Sequence, residues 1–304
     1  MNQTDHIRYL NRAEINIARW DNCIGSSANE LIYGYSIYLD HMATHWDALV
    51  FNDYEAIMPL TWKMKWGIKY LYQPPLTPQL GIFSPGPVQK NMVREFLGSV
   101  PQDFRLAEVF LNYANPLDGL KAHDNFILDL RPQYKNLADQ YKSDLVKNLR
   151  KAQRNNLVYG DYNDLHIALR LHQQEYGSRT THVKDADYTR FEQLATLLMT
   201  RGSALLRSVK SREGELLALS LLFITEQRIY LVESTTLKKG RDLQANHFLL
   251  DSIIREFCEQ ELILDFVGSD IPGIAHFYRN FGSQNQPYFF YYLNLLPWPL
   301  RLLK

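Results

Sequence analysis

The sequence predicts an α/β (α+β) chain of two domains with mixed, mostly antiparallel sheets, and three observations lead there. At 304 residues the chain exceeds the size at which a single hydrophobic core keeps growing, so two units of roughly 150 residues are the natural division. Apolar periodicity alternates between helical and strand spacing, and the order helix, strand meander, helix, strand occurs twice in outline. No GxGxxG fingerprint and no phosphate loop is present, and the strands come in meanders, which excludes a doubly wound nucleotide fold and a barrel of repeating β–α units. The expected domains are 1–131 and 132–304, the second opened by one long helix over 132–156.

In the first half, helices are expected over 13–24 and 36–43. Strands follow over 46–51, 54–62 and 68–72, with Asn52-Asp53 and Gly67 as turn signals. Residues 73–81 hold Pro74, Pro75 and Pro78, which cannot donate to a ladder, so this is a loop. It serves either as a plain connector or as the lining of a cleft, with Tyr72 and Gln73 at its start as candidate substrate contacts. A helix over 88–100 and strands over 106–112 and 126–130 complete the half.

On the helix 132–156, Leu137, Tyr141, Leu145 and Leu149 recur every four residues. The opposite face carries Lys147, Arg150, Lys151 and Arg154, either a solvated surface or a phosphate-binding patch. Helices over 164–176 and 187–199 come next. Then come strands over 204–209, 216–224 and 228–234, a helix over 243–259, a strand over 262–267, a helix over 272–281 and a strand over 288–295.

Composition narrows the function. Hydrophobic residues at 46% and charged residues at 22% are ordinary for a globular chain, and 19 Tyr with 15 Phe suit sheets and pockets. Lys plus Arg and Asp plus Glu are equal at 33, so the chain as a whole is not steered to DNA or to an anionic membrane. Cys23 and Cys258 form no CxxC pair and read as reduced thiols of a cytoplasmic protein. His172, His247 and His276 stand apart, so no metal site is expected. Residues 1–12 do not read as a secretory signal, and no apolar run nears the roughly 20 residues that span a bilayer. The apolar stretch 295–303 is broken by Pro297 and Pro299 and is expected to pack on the body without stable membrane insertion.

Three places can carry chemistry. Asp265 lies in the apolar run Leu262-Ile263-Leu264-Asp265-Phe266-Val267, where a carboxylate must be paired or functional. Ser269 and Asp270 follow and can cap the helix that Pro272 opens. Glu233 ends a strand and leads through Ser234-Thr235-Thr236-Leu237 into Lys238, Lys239, Gly240, Arg241 and Leu243, chemistry suited to a pyrophosphate at a helix start. The run Ala275-His276-Phe277-Tyr278-Arg279-Asn280-Phe281-Gly282 carries a phenol that can protonate a leaving group. No GxSxG elbow or other nucleophile signature appears.

Ser143, Leu149-Arg150-Lys151-Ala152, Leu264-Asp265-Phe266 and the Phe277-to-Gly282 run together resemble the Fem-type (FemAB-like) branch of the GNAT acyl-CoA N-acyltransferase superfamily. The resemblance implies two tandem GNAT-like domains and an acyl group passing from acyl-coenzyme A to a small-molecule or peptide amine by direct attack. Tyr278 would protonate the departing thiolate, and Asp265 or Glu233 would take the amine proton. Lys238, Lys239, Gly240, Arg241 and Leu243 would hold the donor, while Arg279, Ser269, Tyr72 and Gln73 would contact the acceptor. Two alternatives remain: an aminoacyl-tRNA-dependent transferase acting on a peptidoglycan precursor, and a catalytically degenerate fold that only binds a ligand. The tRNA users of this branch carry Phe-Lys where this chain has Phe277-Tyr278, which favours the acyl-coenzyme A reading. The usual Gln/Arg-x-x-Gly-x-Gly/Ala spacing is absent, and Phe281-Gly282 inverts the usual Gly-Phe.

Overall fold

The structure, a computed structural model, describes residues 6–177 and 183–303. The chain runs through β1 (Ile7–Leu10), α1 (Ile17–Ser26), α2 (Ser36–Met42), β2 (His45–Phe51), β3 (Ala56–Lys65) and β4 (Ile68–Tyr72). It continues through α3 (Lys90–Gly98), β5 (Phe104–Leu111), β6 (Lys121–His123), β7 (Phe126–Asp129), α4 (Tyr134–Ala138) and α5 (Ser143–Gln153). Next come β8 (Val158–Asp161), α6 (Leu165–Tyr176), α7 (Asp185–Thr200), β9 (Ala204–Lys210), β10 (Leu216–Ile224) and β11 (Arg228–Thr236). The last elements are α8 (Lys238–Asp242), α9 (Ala245–Phe257), β12 (Ile263–Asp265), α10 (Pro272–Arg279), β13 (Gln284–Asn285) and β14 (Tyr288–Asn294).

Two sheets result, and they repeat one topology. The first has the order β1-β2-β3-β4-β5-β14-β6; the second, taken from its opposite edge, is β8-β9-β10-β11-β12-β7-β13. In each, the step between the fourth and fifth strands is parallel, β4 on β5 and β11 on β12. The other steps are antiparallel. Both units thus carry the N-acetyltransferase architecture expected from the sequence.

The domain boundary differs from the one drawn at 131/132. One compact unit runs to His123 and resumes at Pro287; the other is Asp124–Gln286. Strand β7 joins the second sheet, pairing Leu128 with Leu264 of β12. Strand β14 joins the first, pairing Tyr291 with Val109 of β5. A strand with long-range partners cannot be assigned by its neighbours in sequence.

Local chemistry explains most element ends. Asn16 caps α1 by accepting from Arg19 N at 3.2 Å, Asp164 caps α6 by accepting from Ile167 N at 2.9 Å, and Pro272 opens α10. Trp66 and Gly67 both have positive φ, as a tight antiparallel hairpin between β3 and β4 requires. The long helix expected over 132–156 is broken into α4 and α5. At the break Lys142 N donates to Asn280 O at 2.9 Å, and a Cβ on Gly282 would crowd Gln140 Cβ at 2.9 Å, so the chain bends to seat against the 280–282 turn. The helix expected over 243–259 starts as α9 after Gln244, which takes a left-handed conformation and separates it from α8. On the core side α9 buries Leu249, Leu250, Ile253, Ile254 and Phe257 in the cluster that includes Leu217, Leu222, Ile229 and Leu264 of the second sheet. The first core gathers Leu49, Met58, Leu60, Val93, Phe96 and Phe104.

Candidate active site

The second sheet opens at its parallel step. Strand β12 pairs with β11 only from Arg228↔Ile263 to Tyr230↔Asp265, after which the two part. Two features enforce this. On β11, Val232 is an extra residue: Leu221 of β10 faces Glu233 while Leu222 faces Leu231, a bulge that bends the strand. On β12, the chain turns sharply through Val267 and Gly268, both at positive φ. A β-branched residue rarely adopts that conformation, and here Asp265 Oδ1 holds it by accepting from Val267 N at 2.8 Å.

Between the parted strands lies a cleft of about 420 Å³. Leu231, Val232, Glu233 and Ser234 line it in succession, because the edge of β11 faces it rather than one side of the sheet. Phe266, Val267, Phe277 and Tyr278 form the facing wall, and His172, Tyr176 and Asn246 come from α6 and α9.

Glu233 is the group of greatest chemical interest. It is buried, its Oε1 has no hydrogen-bond partner among the described residues, and burial pushes its carboxyl up to about 8. A base poised near neutral pH is what proton abstraction needs. Tyr278 is stacked on Phe266 with ring centroids 4.6 Å apart. Burial, then the charges of Asp265 and Tyr176, hold its phenol above the ordinary value, so it keeps its proton. His172 is driven down to about 4 by burial and is a neutral imidazole at pH 7, with Nδ1 3.0 Å from Thr235 Oγ1. Ser234 Oγ donates to Asn246 Oδ1 at 3.2 Å, a partner that cannot take its proton.

The structure separates the residues singled out from sequence. Glu233 and Tyr278 both line the cleft. Asp265 does not line it: Oδ2 pairs with Arg228 Nη1 at 2.7 Å, both side chains are buried, and Oδ1 is spent on Val267 N. These two partners tie Asp265 to the start of the opening, outside the cleft lining. Ser269 Oγ accepts from Ile271 N at 3.1 Å in the turn before α10, and Arg279 lies over the Phe126 ring and 3.4 Å from Asp124 Oδ2.

The loop expected to hold the donor lies apart from the cleft. None of Lys238, Lys239, Gly240, Arg241 and Leu243 lines the cleft. Lys239 pairs with Glu215, Arg241 Nη2 pairs with Glu175 Oε2 at 2.6 Å, and Leu243 packs on the core. Gly240 is buried because a Cβ there would overlap Leu217 O, so the residue lets α8 lie against β10. Tyr72 and Gln73 belong to the first unit, where each is satisfied locally. Tyr72 Oη accepts from Thr44 N at 2.8 Å, and Gln73 Oε1 accepts from Phe110 N at 2.9 Å.

His172, Tyr176 and Asn246 were not among the expected site residues. A signal existed on α6: His172 and Tyr176 continue the spacing of the buried Leu165 and Leu169, placing two polar rings on an apolar stripe. Among the described residues, no group of three or more His, Cys, Asp or Glu side chains is placed to hold a metal ion.

Residues 142–278 match the family profile of the acetyltransferase (GNAT) domain, a span that contains the whole cleft. The second unit is thus similar over most of its length to an acetyltransferase (GNAT) domain, which supports an acyltransferase. Over its whole length the fold is that of FemX, whose crystal structure superposes with a TM-score of 0.71 at 13% identity, covering 97% of this chain and 99% of that one. A conserved protein of unknown function from Bacteroides thetaiotaomicron VPI-5482 superposes at 0.58 with 10% identity, over 95% and 100% of the two chains. The C-terminal DUF2156 domain of a putative lysylphosphatidylglycerol synthetase from Agrobacterium fabrum does so at 0.53 with 11% identity, over 94% of each. No curated protein matches the sequence at a significant level.

Proposed function

We propose that the second unit moves an acyl group from a thioester of the coenzyme A type to an amine, by direct attack inside the cleft between β11 and β12. The observation that carries this reading is Glu233, a buried carboxyl with an unpartnered oxygen and an affinity for protons raised to about 8. The amine nitrogen attacks the thioester carbonyl and gives its proton to the Glu233 carboxylate. The carbon–sulfur bond then breaks, and the thiolate takes the Tyr278 phenol proton. An arriving ammonium draws the Glu233 proton affinity back down by Coulomb attraction. Beyond Tyr230, β11 has no strand partner on its cleft side among the described residues, so its backbone there suits the amides of an extended donor arm.

Lys238, Lys239, Gly240, Arg241 and Leu243 stay the candidates for the donor's phosphates. The ion pairs of Lys239 and Arg241 are exposed, and a pyrophosphate competes well for such pairs. Arg279 and Ser269, which flank the cleft-lining segment 271–278 in sequence, stay the candidates for acceptor contact. A coenzyme A donor places the reaction in the cytoplasm. The whole-chain likeness to FemX keeps a second reading, in which the donor is aminoacyl-tRNA and Lys147, Arg150, Lys151 and Arg154 on the exposed face of α5 meet its backbone.

The test is acyl transfer to a panel of amines across pH. Wild type is expected to gain rate as pH rises through about 8. Glu233→Gln should lose roughly 10²–10⁴-fold in kcat/KM and the pH dependence with it. Tyr278→Phe should lower kcat by about 10-fold or more with KM little changed. Glu233 also carries a stability signature. Between its ordinary value of 4.5 and 8 only the unfolded chain ionises, so stability falls as pH rises through that window and levels off above it. Glu233→Gln should flatten the fall. No turnover with any thioester, together with salt-sensitive tRNA binding lost on changing Arg150 and Lys151, would replace this reading with the second. Tight ligand binding without turnover from either donor would leave a binding protein.

A further inference from the structure

One end of the first sheet concentrates exposed aromatic and aliphatic side chains. The β3–β4 turn puts Trp66 there at 74% exposure, next to Met64 at 56%. Pairing of Asn294 with Leu106, and of Leu295 N with Arg105 O at 2.7 Å, brings the end of β14 to the same place. The segment that follows leaves Leu295 49% and Trp298 81% exposed. The two sources meet in a shallow apolar cavity of about 380 Å³ lined by Lys65, Trp66, Ile68, Tyr70, Leu296 and Leu300. Single exposed hydrophobic residues need no explanation, but two nearly bare indoles do when one lines an apolar cavity and the other lies between Leu296 and Leu300, which line it too.

Charge identifies what covers them. Lys65, which lines the cavity with Nζ 4.7 Å from the Trp66 ring centroid, Arg105, whose backbone pairs with Leu295, and Arg301, next to Leu300, supply positive charge at the patch. The chain as a whole is neutral, so this is a local segregation of positive charge. Indoles favour the boundary between headgroups and acyl chains, and lysine and arginine reach from apolar surroundings toward anionic groups. No described helix is long and apolar enough to cross a membrane. We propose that this end of the first unit docks on an anionic lipid bilayer, with Trp66 and Trp298 entering the interface and Lys65, Arg105 and Arg301 meeting the headgroups. The proposal is independent of the chemistry assigned to the second unit.

The test is flotation of the full chain with vesicles of phosphatidylcholine alone or mixed with phosphatidylglycerol, while tryptophan emission is recorded. Binding to the mixed vesicles with a blue shift, weakened by salt, is expected. Trp66→Ala with Trp298→Ala should abolish the binding and the shift. Both residues are exposed, so the thermal melt should hold, which separates lost docking from lost folding. Lys65→Glu should weaken partition roughly fivefold or more, since each basic group near such a surface is worth about that factor. No binding to either vesicle would overturn the proposal. So would a concentration-dependent dimer, seen by sedimentation and abolished by the same double variant, because the patch would then join two copies of the chain.

Discussion

The two units share a sheet topology and differ at its parallel step. In the first, β4 is five residues long, and the loop after it returns to fill the space. Leu80 bridges Leu111 of β5 in parallel, and Phe83 bridges Ile57 of β3. Ile82 O accepts from the amides of Asn29, Asn112 and Asn115, which are buried with it. In the second, β11 is nine residues long, carries a bulge and leaves a cleft beside an unpartnered carboxylate. The same frame is closed by its own chain in one copy and holds an open cleft in the other. A buried polar group is costly unless satisfied; the first unit satisfies its buried amides, and the second keeps Glu233 Oε1 unsatisfied at the place where protons would move.

The comparison can be strained from both sides. The largest effect is expected from Arg228→Ala, which strands buried Asp265 and loosens the hold on Val267; a loss of about 3–5 kcal/mol should be read from denaturant unfolding. Next is Gly81→Ala in the filled unit. Gly81 has φ +95, and a Cβ would overlap Asn115 Oδ1, so about 1–3 kcal/mol should be lost. If the filled unit has no part in the chemistry, turnover per folded molecule should stay unchanged in that variant. The smallest is Lys69→Ala. Lys69 and Asp103 flank the first unit's parallel step as Arg228 and Asp265 do the second's, but they are partly exposed, and under about 1 kcal/mol should be lost. Equal losses from Lys69→Ala and Arg228→Ala would erase the distinction.

Sequence pattern revealed the architecture more fully than the site. The meanders, the apolar face of α9 and the run around Tyr278 were legible because periodicity and capping are local. The ownership of β7 and β14 was not, since each pairs across a long stretch of chain. Short β1, β6 and β8 carry too few residues for a period to show. Glu233 and Asp265 looked alike in sequence, two carboxylates on strands. What distinguishes them is whether a cation waits across the sheet, and Arg228 is 37 positions from Asp265. The loop 238–243 offered the right charges, but Glu175 and Glu215, which hold two of them, come from other elements.

The exchange of strands also orders events during synthesis. Every strand of the second sheet has left the ribosome once residue 285 has emerged. The first sheet needs β14 between β5 and β6, so its own early strands wait for residues 288–294. At ordinary elongation rates that wait is on the order of ten seconds. During it, β5 presents an unpaired edge to the cell, and the half translated first is the half completed last.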